Sequence, residues 1–122
     1  MADLLVVEDD DATRELLKHV LSGAGHAVRT ADDGRQGLDA VARKAPDLIV
    51  LDIMLPEVHG FSVCHSVKHN PATRGVKVLM LSAKSFAADR RQAEEAGADG
   101  FLSKPVNPNE LLQSIKNLLG KA

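Results

Sequence analysis

At 122 residues, 44% of them hydrophobic and 26% charged, the chain has the size and composition of one globular domain able to bury a core. A formal net charge of −2, scattered basic residues and the lack of Tyr and Trp exclude a broad electrostatic or stacking attraction to nucleic acid, so no direct nucleic-acid partner is expected. Cys64 is the single cysteine, there is no signal-peptide pattern and no apolar stretch of spanning length, so no internal disulfide and no membrane partner are expected, and the default compartment is cytoplasmic.

The first short aliphatic run, Leu4–Val7, is apolar throughout rather than alternating, which predicts a strand buried on both faces. Glu8, Asp9, Asp10 and Asp11 follow it. Asp10 or Asp11 suits the cap of a helix with the stripe Leu16, Leu17, Val20 and Leu21, ended by Gly23 and Gly25. A second strand is expected at Ala27–Thr30. Asp33-Gly34 then turns the chain into a helix carrying Leu38, Val41 and Ala42. Leu48–Leu51 is the third strand, and Asp52 stands directly at its end. Phe61, Cys64 and Val67 mark a third helix, broken by Pro71 and Gly75. Val76–Leu81 is the fourth strand, followed by Ser82. Between Phe86 and Ala96 the only large apolar side chain is Phe86, so a helix there has little area with which to anchor itself. A weaker fifth strand, Gly100–Leu102, precedes Lys104, and Pro108 opens a last helix with Leu111, Leu112, Ile115, Leu118 and Leu119 on one face.

Strands and helices alternate without repeat or linker. The fold class is therefore α/β: a (βα)5, doubly wound five-stranded parallel sheet with right-handed crossovers, one domain over residues 1–122. In such sheets ligands bind beyond the carboxyl ends of the strands. Glu8, Asp9, Asp52, Ser82 and Lys104 all fall there, whereas the second strand, expected at an edge, contributes nothing comparable. If Glu8, Asp9 and Asp52 converge, two like charges ~4 Å apart repel by about 4 kcal/mol at an effective dielectric near 20. Either a carboxyl takes a proton or a cation enters. An oxygen-only set with few protein ligands suits Mg2+, which keeps waters and accepts phosphate oxygens. A divalent ion, the Lys104 ammonium and the Ser82 hydroxyl around Asp52 fit phosphoryl transfer, with Asp52 as the nucleophile that forms an acyl phosphate.

The segments VVEDD at 6–10, LDIMLP at 51–56 with Gly60, LSA at 81–83 and GADGFLSKP at 97–105, in this order and spacing, resemble the response-regulator receiver domain of two-component signalling. The resemblance covers essentially the whole chain and implies a flavodoxin-like receiver fold with strand order 2-1-3-4-5. It implies that Asp52 is the phosphoacceptor, taking phosphate from a histidine kinase or histidine phosphotransfer protein. It assigns Glu8, Asp9, Asp52 and the main-chain carbonyl of Met54 to Mg2+, makes Ser82 and Phe101 the switch residues, and pairs Lys104 with the phosphoryl group. It also implies a cis Lys104–Pro105 bond, and a downstream effector protein or effector domain that reads the helix-4, strand-5, helix-5 face. On this reading the chain is a phosphorylation-dependent switch, catalysing its own phosphorylation and dephosphorylation rather than acting as a turnover enzyme.

Departures and plainer readings bear on this. Receivers of the winged-helix transcription-factor type usually carry Asp where Gly100 stands and Arg where Ser114 stands, and the absence of both speaks against their symmetric dimer. No DNA-binding domain is read after the last helix in this sequence, so the chain is expected to be either a single-domain regulator acting through protein contacts or a receiver cut from a longer protein. Met54 and Lys84 stand where the family tunes phosphoryl lifetime. Asp10 and Asp11 read as helix N-terminal charges, His59, His65 and His69 as solvated surface, and Cys64 as a small buried residue. Of rival functions, a flavin carrier lacks a phosphate-cradling loop and ring-stacking aromatics. An aspartyl phosphohydrolase would want a second Asp where Met54 stands. A receiver that folds without accepting phosphate leads these rivals.

Overall fold

The computed structural model describes residues 2–56, 58–83 and 87–120. Five strands, β1 (Asp3–Val7), β2 (Ala27–Ala31), β3 (Leu48–Asp52), β4 (Lys77–Ser82) and β5 (Gly100–Ser103), form one parallel sheet in the order β2-β1-β3-β4-β5. Helices α1 (Asp11–Gly23), α2 (Gly34–Arg43), α3 (Gly60–Lys68), α4 (Ala87–Glu95) and α5 (Pro108–Leu119) alternate with them. The expected α/β architecture and strand order are present, with β2 at an edge.

The unbroken apolar runs are explained by the two faces of the sheet. Side chains alternate along a strand, so Leu5, Val7, Ile49, Leu51, Val78 and Met80 enter one core, with Val41, Val63 and Val67 from α2 and α3. Leu4, Val6, Leu48, Val50, Leu79 and Leu81 enter the other, with Leu17 and Leu21 of α1 and Leu111 and Ile115 of α5. Each fully buried aliphatic side chain contributes about 1.5–3 kcal/mol, so the interior strands β1, β3 and β4 carry polar residues only at their first or last positions.

Some expected boundaries and stripes differ. β4 begins at Lys77, with Val76 just before it. β3 and β4 take in Asp52 and Ser82, because the ladder pairs Asp52 with Leu81 and Ser82 with Ser103. In α1, Leu17 and Leu21 are buried while Leu16 is 52% exposed. In α2 the buried face runs through Gly37, Ala40 and Val41, and Ala42 is exposed. Gly37 sets that rotation: a Cβ there would lie 3.0 Å from a Val7 methyl, so its absence lets the helix lie close to β1.

Helix ends follow local chemistry. The Asp10 carboxylate accepts from Thr13 N–H at 2.9 Å and caps α1, and Asp33 caps α2 through Gln36 N–H. Asn107 caps α5 ahead of Pro108, and Gly25 after α1 has φ +96°, a left-handed conformation that favours glycine. Phe86 and Lys84 lie outside the described residues; of the described α4 side chains, Ala93 alone is buried. Among the described residues no helix is long and apolar enough to cross a membrane.

Cys64 is fully buried, its Sγ 3.5 Å from the Ala96 carbonyl oxygen, and burial pushes the thiol up to about 11. A rise of that size leaves roughly a hundredfold less thiolate at neutral pH than a free cysteine holds. Native protein is therefore expected to react with a thiol-specific chromogenic disulfide at least that much more slowly than urea-unfolded protein. Equal rates would contradict the burial.

Candidate functional site

Parallel register brings the polar groups to the carboxyl edge of the sheet. Val7 pairs with Leu51, Leu51 with Met80, and Ser82 with Ser103, so the residues ending β1, β3, β4 and β5 lie on one rim. Hydrogen bonds past the ladder hold that rim: Glu8 N–H donates to the Ala31 carbonyl at 3.1 Å, Ile53 N–H to Leu81 at 3.0 Å, and Lys104 N–H to Ser82 at 2.7 Å. The Lys104–Pro105 bond is cis.

Glu8, Asp9 and Asp52 converge, with carboxylate oxygens within 4.8 Å of one another. Glu8 is 1% and Asp52 4% exposed, while Asp9 is exposed and forms the open side. Lys104 reaches across the rim, its Nζ 2.7 Å from Glu8 Oε1 and 3.2 Å from Asp52 Oδ2. Burial alone pulls the Lys104 ammonium down, but contact with Glu8 and the charge of Asp52 outweigh it and hold the group above its ordinary value of 10.5. The main chain adds donors: Asp10 N–H to Glu8 Oε2 at 3.1 Å, and Met54 N–H to Asp52 Oδ1 at 3.3 Å. The second of these keeps the Met54 backbone beside the cluster.

Three carboxylates thus face one ammonium. Glu8 Oε1 lies against that ammonium as an ion pair yet, although buried, receives no well-directed hydrogen bond. A buried carboxylate oxygen with spare capacity, in an all-oxygen set with one open side, fits a hard divalent cation. Among the described residues, this is the only grouping of three or more His, Cys, Asp or Glu with metal-ligand spacing. His59, His65 and His69 are exposed: His65 and His69 stack on each other, while His59 lies against Phe61 and caps α3.

Ser82 is 3% exposed at the end of β4, and Phe101 is half-buried on β5 with the Arg90 guanidinium 5.2 Å above its ring. Two neighbours escaped the sequence. The partly buried Arg14 of α1 donates to the Glu8 carbonyl at 2.9 Å, bracing the strand end. Asp89 of α4 accepts from the Ser82 hydroxyl at 3.1 Å. Each is a charged residue on a polar helical stretch, and no spacing rule links either to a strand terminus.

The family model described as the response regulator receiver domain matches residues 4–116. The transcriptional regulatory protein GltR of Pseudomonas aeruginosa is 41% identical over 119 residues, which are 98% of this chain and 49% of that protein; the chain thus spans about half the length of this curated relative. A putative response regulator from Chloroflexus aurantiacus superposes with a TM-score of 0.93 at 38% identity, covering 97% of each chain. The receiver domain of sensor histidine kinase PA1611 from Pseudomonas aeruginosa, described with a magnesium ion coordinated in its active-site cleft, superposes with a TM-score of 0.91 at 27% identity over 98% of each chain.

Proposed function

The chain belongs to the response regulator receiver domain family, and from that premise we propose that Asp52 is the residue through which it receives a signal, as a phosphoryl group from a histidine kinase or histidine phosphotransfer protein. The observation that carries this reading is the Asp52 carboxylate, buried at a strand end with Lys104 Nζ at 3.2 Å and the Glu8–Asp9 pair beside it. One Asp52 oxygen attacks phosphorus, an O–P bond forms, the N–P bond of the donor phosphohistidine breaks, and the imidazole nitrogen leaves with the bonding pair.

Glu8, Asp9, Asp52 and the Met54 carbonyl would hold Mg2+, which when bound neutralises charge on the carboxylates and the phosphoryl oxygens. Lys104 supplies a fixed positive charge that pairs with the phosphoryl group, and the Ser82 hydroxyl donates to one of its oxygens. Motion of Ser82, with Phe101 responding on β5, alters the α4–β5–α5 face and so the binding of an effector protein or effector domain. The protein works as a switch in the cytoplasm, catalysing only its own phosphorylation and dephosphorylation. Gly100 and Ser114 on that face lack the charges for a winged-helix-type dimer, which favours other contacts.

Intact mass after incubation with acetyl phosphate tests this. Wild type is expected to gain one phosphoryl group in the presence of Mg2+ and none in EDTA, and Asp52→Asn to gain none in either. An adduct of equal yield on Asp52→Asn would overturn the assignment. A folded, Mg2+-binding wild type that takes phosphate neither from acetyl phosphate nor from a phosphorylated kinase would favour a constitutive binding module.

A further inference from the structure

Asp89 stands in the first turn of α4, seven residues beyond Ser82, and its Oδ2 accepts the Ser82 hydroxyl proton at 3.1 Å. A serine hydroxyl carries one proton and can make one strong donation at a time. If that proton must go to a phosphoryl oxygen on Asp52, it must first leave Asp89. We propose that Asp89 is a positioning residue for phosphoryl transfer: it holds the Ser82 hydroxyl away from the Asp52 site in the unphosphorylated protein and, by the same bond, ties α4 to the end of β4. The inference rests on the function proposed above and extends it to a residue outside the acidic cluster.

Two features make the exchange consequential. The Ser82 main chain is fixed, since its carbonyl accepts from Lys104 N–H at 2.7 Å and it pairs with Ser103. The hydroxyl can therefore change partner by side-chain rotation alone, with the strand in place. By contrast, few of the described α4 side chains attach it: only Ala93 is buried, and Arg90 lies over the Phe101 ring, so among the described contacts one hydrogen bond to a charged acceptor is a substantial share. Coupling of this kind is reciprocal. A phosphoryl group that captures Ser82 frees α4, and a partner that pulls α4 from β4 frees Ser82 to stabilise the phosphoryl group. The released Asp89 keeps a favourable place at the positive end of the helix.

The test is a double-mutant cycle on the initial rate of phosphorylation by acetyl phosphate with Mg2+, read by intact mass, for wild type, Asp89→Ala, Ser82→Ala and the double variant. With Ser82 present, Asp89→Ala is expected to react faster by on the order of threefold to tenfold, the scale of one net intramolecular hydrogen bond. On the Ser82→Ala background, the same change is expected to have no effect. Asp89→Glu, which keeps the acceptor, should stay nearer wild type than Asp89→Ala. Amide exchange over residues 87–95 should rise in Asp89→Ala, in Ser82→Ala and on phosphorylation of wild type. A purely structural role for Asp89 would loosen α4 whatever stands at 82. An unchanged rate in Asp89→Ala, or an acceleration that survives Ser82→Ala, would therefore overturn the proposal. If Asp89→Ala fails to fold, Asp89→Asn, isosteric with a weaker acceptor, carries the same cycle. An adduct that persists on Asp52→Asn would instead overturn the function beneath it.

Discussion

Replacing Lys104 with methionine is expected to lower the stability of the metal-free protein by about 3 kcal/mol, the low end for breaking a buried ion pair. The low end applies because Lys104 is 22% exposed and solvent shares its charge, whereas the Glu8 and Asp52 side chains are only 1% and 5% exposed. Removing the ammonium leaves two carboxylates facing each other with Asp10 N–H and Met54 N–H as donors. The pH dependence has a definite sign. The folded-state value of Lys104 is raised, so its contribution is complete below the ordinary lysine value of 10.5 and is lost only as pH rises through the folded value. The difference between wild type and Lys104→Met should therefore hold steady on the alkaline side of neutrality and close only above that value. Millimolar Mg2+ should restore much of the loss, because a cation bound by the same oxygens takes over the charge balance. Glu8→Gln should behave oppositely, gaining stability without metal and responding little when metal is added. Denaturation midpoints in EDTA decide the matter: equal midpoints for wild type and Lys104→Met would show that the ammonium does not compensate these carboxylates.

Much of this site is legible in the chain because parallel α/β topology turns position in sequence into position in space. Once Leu48–Leu51 and Val76–Leu81 read as strands buried on both faces, the polar residue that ends each is bound to reach the same rim. Asp52, Ser82 and Lys104 are found that way without any knowledge of their contacts. The limits of reading are equally physical. Val76 is as apolar as Val78, so no composition signal marks β4 as starting at Lys77 between them. The ladder, not hydrophobicity, draws Asp52 and Ser82 into their strands. Ala42 and Leu16 lie on plausible stripes, yet the rotation of α2 follows from Gly37 against Val7 and Leu16 stays exposed, and both depend on what the helix meets. The Ser82–Asp89 bond joins a strand end to a weakly patterned helix, where a propensity argument has nothing to grip. The cis Lys104–Pro105 bond was legible only through family likeness, since about one X–Pro bond in twenty is cis in folded proteins.

Gly60 shows how a residue with no chemistry of its own can be indispensable, and Gly60→Ala is expected to cost about 3 kcal/mol, or roughly 10 °C in Tm. A Cβ at this position would lie 2.4 Å from the Asp52 carbonyl oxygen and 2.7 Å from Ile53 Cα. These are backbone atoms, so no flexible side chain can swing away. The same approach carries a hydrogen bond, Gly60 N–H to the Ile53 carbonyl at 3.0 Å, which seats the start of α3 against the end of β3. Relief must therefore move either α3 or the Asp52–Ile53–Met54 backbone, and the second displaces the Met54 N–H that steadies Asp52 Oδ1. Placement errors near 1 Å cost on the order of a hundredfold in rate, so the phosphorylation rate should fall at least tenfold even at temperatures where the variant stays folded. Gly23→Ala is the matched control. It ends α1, a Cβ there would meet nothing within 4 Å, and alanine in a helix is favoured over glycine by up to about 1 kcal/mol. That variant should melt at or above the wild-type temperature and phosphorylate normally. Should Gly60→Ala match it in both measurements, the turn between β3 and α3 yields easily, and close backbone contact is not what holds Asp52 in place.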